Sequence, residues 1–251
     1  MLKELKILKS HGRQYVANLR TANLAVAFRG RPEINTDITA VEITELSRLC
    51  PVAAIDKRSG AVDLGKCVFC GECAFAFPEK IKFTNDYRIA ANRREDLVVK
   101  PGQVKEIRLN ENNIRKEIRD MFSGSLKLRQ VSAGGDNSCE MELNACGNVN
   151  FDMGRYGIEF VASPRHADGM VITGPVTSNM AAALEMTYDA IPEPKIIIAA
   201  GTDAISGGIF ENSPGVNRSF FENRKIDLFV PGNPFHPLTF INGVMDLLGI
   251  K

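Results

Sequence analysis

The sequence of 251 residues has almost no excess of charge of either sign. It contains 31 basic and 30 acidic residues, for a formal net charge of +1. A broad basic surface that would bind nucleic-acid phosphates is therefore not expected. Long apolar runs are also missing, because charged residues interrupt each one well before the ~18 residues of a membrane-spanning helix. We expect a chain that crosses no membrane and binds no nucleic acid.

The motifs of several enzyme classes are absent as well. The sequence has no nucleophile elbow, no phosphate-cradling loop of the G-x4-G-K-S/T type and no dinucleotide-binding fingerprint. The start, Met1 to Lys9, alternates Leu or Ile with Lys and resembles no signal peptide. These absences argue against a self-contained enzyme and predict a location inside the cell.

Cysteine is sparse, yet four of the six cysteines lie within residues 50–73. Inside the cell such a cluster indicates metal ligands more than disulfides. An internal repeat accompanies the cluster, because an offset of 27 residues aligns the Cys-Pro at position 50 with the Phe-Pro at position 77. The second copy carries a C-x2-C-x2-C run at Cys67, Cys70 and Cys73. The matching positions of the first copy are Ala40, Ile43 and Leu46.

The repeat resembles the C-x2-C-x2-C-x3-C-P runs of bacterial two-cluster ferredoxins, in which the last cysteine of one run ligates the other cluster. This resemblance implies one 4Fe-4S cluster, because only one of the two ligand sets retains its thiols. The predicted ligands are Cys50, Cys67, Cys70 and Cys73. The second set would be Ala40, Ile43, Leu46 and Phe77, which cannot bind iron, and we interpret its apolar residues as core filling. A zinc site with four thiolates is the alternative.

The chain divides into three predicted parts: a ferredoxin-like module at 1–99, a linker helix within 100–124 and an α/β domain at 125–251. The linker has helical apolar spacing over Glu111 to Phe122. The third part alternates apolar strands with helical patterns. The strands are predicted at 126–131, 157–162, 169–173, 195–200 and 226–230, and the helices at 139–148, 178–191 and 238–248.

The strand at Ile196 to Ala200 is apolar on both faces, as in a parallel sheet that is covered on both sides. We therefore predict an α/β chain, with an α+β ferredoxin-like module followed by a flavodoxin-like open parallel sheet. Ligands of such sheets sit at the carboxyl ends of strands. The candidate loops are 132–138, 201–208 and 231–237.

Several motifs of the third part give it a family resemblance. They are Val131-Ser132-Ala133-Gly134, Tyr156-Gly157-Ile158, Ser163-Pro164-Arg165-His166-Ala167-Asp168, Thr173-Gly174-Pro175-Val176-Thr177, Pro192-Glu193-Pro194-Lys195, Ile205-Ser206-Gly207-Gly208-Ile209-Phe210 and Pro231-Gly232. In this order they resemble the small subunit of group 4 membrane-bound nickel-iron hydrogenases and the related 20 kDa-type subunit of respiratory complex I. In that family the three loops hold a proximal 4Fe-4S cluster.

The resemblance implies four proximal ligand positions, of which one is a thiol here. These positions are Asp136, Cys139, Asp203 and Asn233. Three hard oxygen-bearing side chains suit an iron-sulfur cluster poorly, so we predict that the proximal cluster is absent. The polar residues are then either solvated or hydrogen-bonded side chains, or a site for a hard cation such as magnesium or calcium. The sixth cysteine, Cys146, is a poor substitute ligand.

Two functions are compatible with these features. The first is an electron-transfer subunit with one 4Fe-4S cluster, and the second is a structural subunit that no longer transfers electrons. The resemblance implies as partners a hydrogenase large-subunit-like or complex I 49 kDa-like protein and membrane subunits of the same complex. Another ferredoxin-type subunit is a further candidate partner. It also implies a cytoplasmic location, with the chain held on the inner face of the membrane by its partners.

Overall fold

The computed structural model describes residues 2–12 and 14–250. The helices of these residues are α1 Leu2–His11, α2 Ala40–Leu49, α3 Glu72–Ala76, α4 Lys116–Phe122, α5 Ser138–Cys146, α6 Ser178–Ala190, α7 Thr202–Ser206, α8 Ser219–Glu222 and α9 Pro237–Leu248. The strands are β1 Pro32–Ile34, β2 Val62–Asp63, β3 Ile81–Phe83, β4 Val98–Val99, β5 Leu126–Ser132, β6 Ile158–Phe160, β7 Gly169–Thr173, β8 Ile196–Ala200 and β9 Leu228–Val230. Short 3-10 helices lie at Arg94–Leu97, Glu111–Asn113, Met153–Tyr156, Pro164–His166 and Gly208–Phe210.

The larger sheet has five parallel strands in the order β6-β5-β7-β8-β9. Counted from its own first strand, this order is 2-1-3-4-5, the order of flavodoxin-like folds. All residues of β7 and β8 are buried, which confirms the prediction of a sheet covered on both faces. The five strands and three helices predicted for this half are all present, with ends that differ by up to a few residues.

Each face of this sheet has its own apolar core. In β7, Val171 belongs to the core that also contains residues of α4, α5 and α9, whereas Met170 and Ile172 belong to the other. That second core includes residues of α6 and also Leu46 and Ile81 from the amino-terminal half. The cysteine-bearing module therefore supplies part of the second layer. A bridge between Ala91 and β9 ties the two halves together at the sheet edge.

The amino-terminal module consists of two short antiparallel pairs, β1 with β3 and β2 with β4, together with α2 and α3. Helix α2 begins at a capping box, in which the Thr39 side chain accepts a bond from the Glu42 backbone and the Glu42 carboxylate accepts one from the Thr39 backbone. This local signal sets the start of the helix that leads to Cys50.

The first copy of the cysteine repeat lies on helix α2. Leu46 is fully buried and Ile43 is nearly so, while Phe77 packs partly buried against the same core as Leu46. The expectation of core filling is confirmed for the two aliphatic residues. Ala40 is exposed at the first turn of α2 and takes no part in it.

The predicted single helix from Glu111 to Phe122 is wrong in its middle. A 3-10 turn ends at Asn113, two residues with extended backbone follow, and α4 then begins at Lys116. The guanidinium of Arg115, one of the two extended residues, binds the buried Asp227 carboxylate with nitrogen to oxygen distances of 3.2 and 3.1 Å. This tertiary contact explains why the helix is interrupted at Arg115 although the local sequence pattern is helical.

Replacing Arg115 by Met should lower the free energy of unfolding by about 2–3 kcal/mol, because it leaves the Asp227 carboxylate buried without its charged partner. The matched control is Arg108→Met, whose parent side chain is exposed and pairs only with Glu106. That variant should change stability by less than about 0.5 kcal/mol. Urea unfolding of the three proteins measures both effects, and equal losses would contradict the role given to Arg115.

Candidate functional site

Four cysteines from two segments of the amino-terminal module line one small cavity. They are Cys50, Cys67, Cys70 and Cys73. Cys50 follows the last turn of α2, where its backbone N–H donates to the Leu46 carbonyl. The other three lie on the loop that enters α3 and in the first turn of that helix. The structure thus brings together all the residues that the sequence predicted for the first site.

Backbone N–H groups point at two of these sulfur atoms. The N–H of Ala54 donates to Cys50 Sγ at 3.2 Å, and the N–H of Phe69 donates to Cys67 Sγ at 3.3 Å. Phe69 reaches this position with a left-handed φ of 53°. Such bonds stabilise negative charge on sulfur and therefore favour the thiolate. The loop is shaped to hold anionic sulfur.

Burial works in the opposite direction on the same thiols. Burial, with a smaller contribution from the neighbouring cysteines, raises the pKa of Cys67 to about 12 and that of Cys73 to about 11. All six cysteines of the chain are free thiols. At neutral pH these two side chains stay protonated unless a cation compensates their negative charge.

The cysteine loop packs directly on the loop after β8. The Thr202 hydroxyl, fully buried, donates to the Cys67 carbonyl at 2.9 Å. Nearby, Lys66 and Glu211 form an ion pair at 2.7 Å. Two residues that are 135 positions apart thus join the first site to the carboxyl end of the parallel sheet.

At that end of the sheet, three of the four predicted proximal positions lie close together with one further carboxylate. We call this group the acidic pocket; it consists of Asp136, Cys139, Glu140 and Asp203. Asp136 is exposed and its Oδ1 accepts bonds from both the backbone N–H and the hydroxyl of Ser138, at 2.9 and 2.6 Å. These bonds hold the pKa of Asp136 below its usual range. Asp136 is therefore an ionised residue that closes a local turn.

Cys139 is buried at the start of α5. Its Sγ lies so close to Gly201 that a Cβ at that position would stand 2.5 Å away, so the close approach requires glycine. Burial, with a smaller contribution from the neighbouring carboxylates, raises the pKa of this thiol to about 12. Cys139 is a neutral thiol in this setting.

Asp203 is the most unusual member of the acidic pocket. It is 8% exposed, and its Oδ1 has no hydrogen-bond partner. Burial raises the pKa of Asp203, and the charges of Asp136 and Glu140 raise it further. A buried carboxylate without a cationic partner is costly, and protonation removes that cost.

The other two predicted residues have different surroundings. Asn233 is half-buried and lines an open cavity that it shares with Cys70, between the two halves of the chain. Cys146 is buried in α5, where its thiol donates to the Glu142 carbonyl at 3.2 Å. It faces the core, in agreement with its rejection as a ligand.

Sequence reasoning missed two residues of these sites. Glu140 is 5% exposed and accepts bonds from the hydroxyls of Ser132 and Thr173, both at 2.6 Å. Its signal in the sequence is its place directly after the surviving cysteine. Thr202 gave no signal, because its role depends on contact with Cys67.

No three His, Cys, Asp or Glu side chains of residues 2–12 and 14–250 are arranged to hold one metal ion. This holds for the acidic pocket and for the four-cysteine cavity alike. Of the two interpretations of the polar residues, hydrogen bonding describes Asp136, while Asp203 fits neither of them.

Replacing Asp203 by Asn should stabilise the protein increasingly as pH rises above about 4. The pKa of Asp203 is higher in the folded chain than in the unfolded chain, so the unfolded chain releases this proton at a lower pH. The parent therefore loses stability as pH rises, because its folded state still holds the proton. Unfolding by urea at a series of pH values measures the difference. Asp120→Asn, at an exposed position, is the control and should show no such trend. A difference between Asp203→Asn and parent that stays constant with pH would contradict the assignment.

The carboxyl-terminal half matches a known family. The family described as NADH ubiquinone oxidoreductase, 20 Kd subunit, matches residues 137–247. A chain from the solved structure of the membrane-bound sulfane sulfur reductase, an archaeal respiratory membrane complex, aligns with a TM-score of 0.45 and 26% identity over 51% of this chain and 71% of that chain. No helix in the described ranges combines the length and apolar character that crossing a membrane requires.

Three similar proteins define the relationship further. The probable membrane-bound hydrogenase subunit mbhJ of Pyrococcus furiosus is 37% identical over 115 residues, which are 46% of this chain and 69% of that protein. An uncharacterized protein of Methanocaldococcus jannaschii is 37% identical over 48% of this chain and 81% of its own length. A subunit of the NADH-quinone oxidoreductase of Geotalea daltonii is 40% identical over 43% of this chain and 64% of its own length. With two relatives at 37% identity covered over more than two thirds of their length, this chain belongs to the NADH ubiquinone oxidoreductase 20 kDa subunit family.

Proposed function

We propose that the chain is an electron-transfer subunit that binds one 4Fe-4S cluster through its four clustered cysteines. The ligands would be Cys50, Cys67, Cys70 and Cys73. The observation that carries the proposal is that these thiols, from two separate segments, line one cavity. Their spacing is that of bacterial ferredoxins, including the remote cysteine followed by proline. When bound, the cluster supplies a redox centre, and the chain holds it and shields it from water.

The arrangement of the thiols favours a cluster over zinc. A zinc ion needs four ligands that converge on one point, with each sulfur about 2.3 Å away. A cubane takes one thiolate on each of its irons, so its cysteines stand around it and need not converge. The repeat and the Cys-Pro junction at Cys50 match the ferredoxin pattern, and this match favours the cubane.

Electrons would enter or leave at the side of Cys70. This cysteine is exposed, whereas Cys67 is buried and the other two are half-buried. The open cavity beside Cys70 gives a partner access to that side. The N–H donors at Cys50 and Cys67 would stabilise the thiolates and the added negative charge of the reduced cluster.

The acidic pocket, in this proposal, binds no second cluster. It offers one thiol, and its carboxylates are hard ligands that match iron-sulfur chemistry poorly. The oxygen of Asp136 is also committed to Ser138. The usual family route through a proximal cluster would then be absent, and the electron partner would dock near Cys70.

We infer the assembly from the relatives. Those named above include a probable subunit of a membrane-bound hydrogenase and a subunit of an NADH-quinone oxidoreductase. The chain would accordingly work in a hydrogenase-related or complex I-related membrane assembly. Its partners would be a large-subunit-like protein and membrane subunits, with the chain on the cytoplasmic side.

A structural subunit is the second candidate, because the acidic pocket has one thiol where the family resemblance implies four. Electron paramagnetic resonance of the purified assembly separates the two functions. A cluster signal that appears on reduction and disappears at the rate of turnover supports electron transfer. A cluster that stays in one redox state during turnover supports the structural function.

The cluster count gives the first test. Analysis of the purified chain should return about four iron and four acid-labile sulfide per chain, as one cubane requires. A value near eight would mean that the acidic pocket also binds a cluster. Zinc in place of iron would contradict the electron-transfer function.

A pair of cysteine variants tests which thiols are ligands. Cys50→Ser should lower the iron content by half or more, because serine offers a hard oxygen in place of a soft thiolate. Cys139→Ser is the matched control and should keep the iron content of the parent. If Cys139→Ser loses iron and Cys50→Ser keeps the iron content of the parent, then Cys139 is a ligand and Cys50 is not. Circular dichroism of both variants checks that they are folded.

A further inference from the structure

Helix α1 buries no residue against the rest of the described chain. All of its residues from Leu2 to His11 are exposed, and Leu2, Leu5 and Leu8 have exposures of 76, 54 and 66%. An isolated helix of ten residues is only marginally stable in water. A surface outside this chain would therefore be needed to stabilise α1 and to cover its leucines.

The side chains of α1 form two adjacent stripes. At about 100° per residue, Leu2, Leu5 and Leu8 fall within one arc of roughly 120°. The lysines at positions 3, 6 and 9 have the same spacing, and their arc overlaps the edge of the leucine arc at Lys9 and extends away on one side of it. Apolar residues flanked by lysines, whose long stems let the charge reach water, are typical of helices that lie in a membrane interface.

The charge of the chain is concentrated at this end. Residues 1–31 contain seven basic residues and one acidic residue, which leaves 24 basic and 29 acidic residues for the remainder. Arg20 and Arg31 form ion pairs with Asp246 and Asp86 inside the fold. Arg29 is exposed and donates to the Phe69 carbonyl, and the lysines of α1 are exposed as well. These lysines complement an anionic surface, while the rest of the chain is net negative.

The segment after α1 is fastened to the carboxyl-terminal half. Leu19 is fully buried, and its carbonyl accepts bonds from Tyr87 and Asn242 at 2.9 Å each. The backbone of Val16 pairs with Asn150 at 2.8 Å and also receives a bond from Arg155. These contacts anchor the chain a few residues after α1, so that the helix projects from a fixed attachment.

We propose that α1 lies in the interface of an anionic lipid bilayer, with its leucines at the boundary of the acyl chains and its lysines at the lipid phosphates. The chain would then contact the membrane itself, in addition to any attachment through partner subunits. A helix of this length gives weak and reversible binding, which would orient the chain on the membrane.

Vesicle sedimentation of the full chain tests the proposal. The chain should bind vesicles of phosphatidylcholine with phosphatidylglycerol, bind poorly to phosphatidylcholine alone, and dissociate as salt is raised. Each lysine near an anionic surface contributes roughly fivefold to binding. Changing all three lysines of α1 to Gln should therefore weaken binding on the order of 100-fold, and changing its three leucines to Ser should abolish it.

Matched controls change equal numbers of exposed residues elsewhere. The charge control combines Lys57→Gln, Lys100→Gln and Lys105→Gln. The apolar control combines Val104→Ser, Met121→Ser and Met186→Ser. Both should bind like the parent. Since α1 buries nothing, its variants should melt at the temperature of the parent.

Three results would overturn the proposal. The first is equal binding of the chain to neutral and anionic vesicles, and the second is an equal loss of binding in the control variants. The third is a chain that binds no vesicles while its α1 lysines cross-link to a protein subunit in the purified assembly. The last result would make α1 a contact with an acidic protein. None of these measurements depends on the iron content of the chain, so they are independent of the proposed electron transfer.

Discussion

Strands β7 and β8 are apolar on both faces, and each face has to be kept from water. Helices α4, α5 and α9 cover one face, while α6 shares the other with the cysteine-bearing module. Burial of each large aliphatic side chain in such a layer contributes about 1.5–3 kcal/mol. The module is thus held against the sheet by the same apolar burial that stabilises the sheet, and its cysteine loop meets the loop after β8.

The contact between these two loops places a site rich in soft sulfur beside a site rich in hard oxygen. The four cysteines carry soft sulfur atoms, and backbone N–H donors point at two of them. The acidic pocket next to them is rich in hard oxygen and includes a buried carboxylate oxygen without a partner. Thr202 joins the two through a single buried hydrogen bond, while its neighbour in the chain, Asp203, belongs to the pocket. The pocket therefore favours a proton on Asp203, and the proposed cluster is confined to the cysteine cavity.

Much of this arrangement was predictable. A strand such as β8 is a continuous apolar run, and a helix such as α6 has apolar residues three to four positions apart. Both patterns lie within short stretches of chain. The grouping of the four cysteines followed from the repeat and from its resemblance to ferredoxins. The helix around Arg115 was not predictable, because the ion pair with Asp227 acts across 112 positions and competes with local spacing. Glu140 and Asp203 were also not predictable as a pair, since their interaction depends on how two loops approach each other.

The sequence by itself determined the parallel sheet, the cluster of thiols at positions 50 to 73 and the shortage of thiols at the end of the sheet. Local periodicity and residue chemistry carry that information, and neither requires knowledge of the packing. Only the tertiary structure decided that the cysteine loop rests on the Thr202 loop, that Asp203 is enclosed without a partner and that α1 stands apart from the core. These features are distances between remote segments, and such distances are set by the burial of the whole sheet surface.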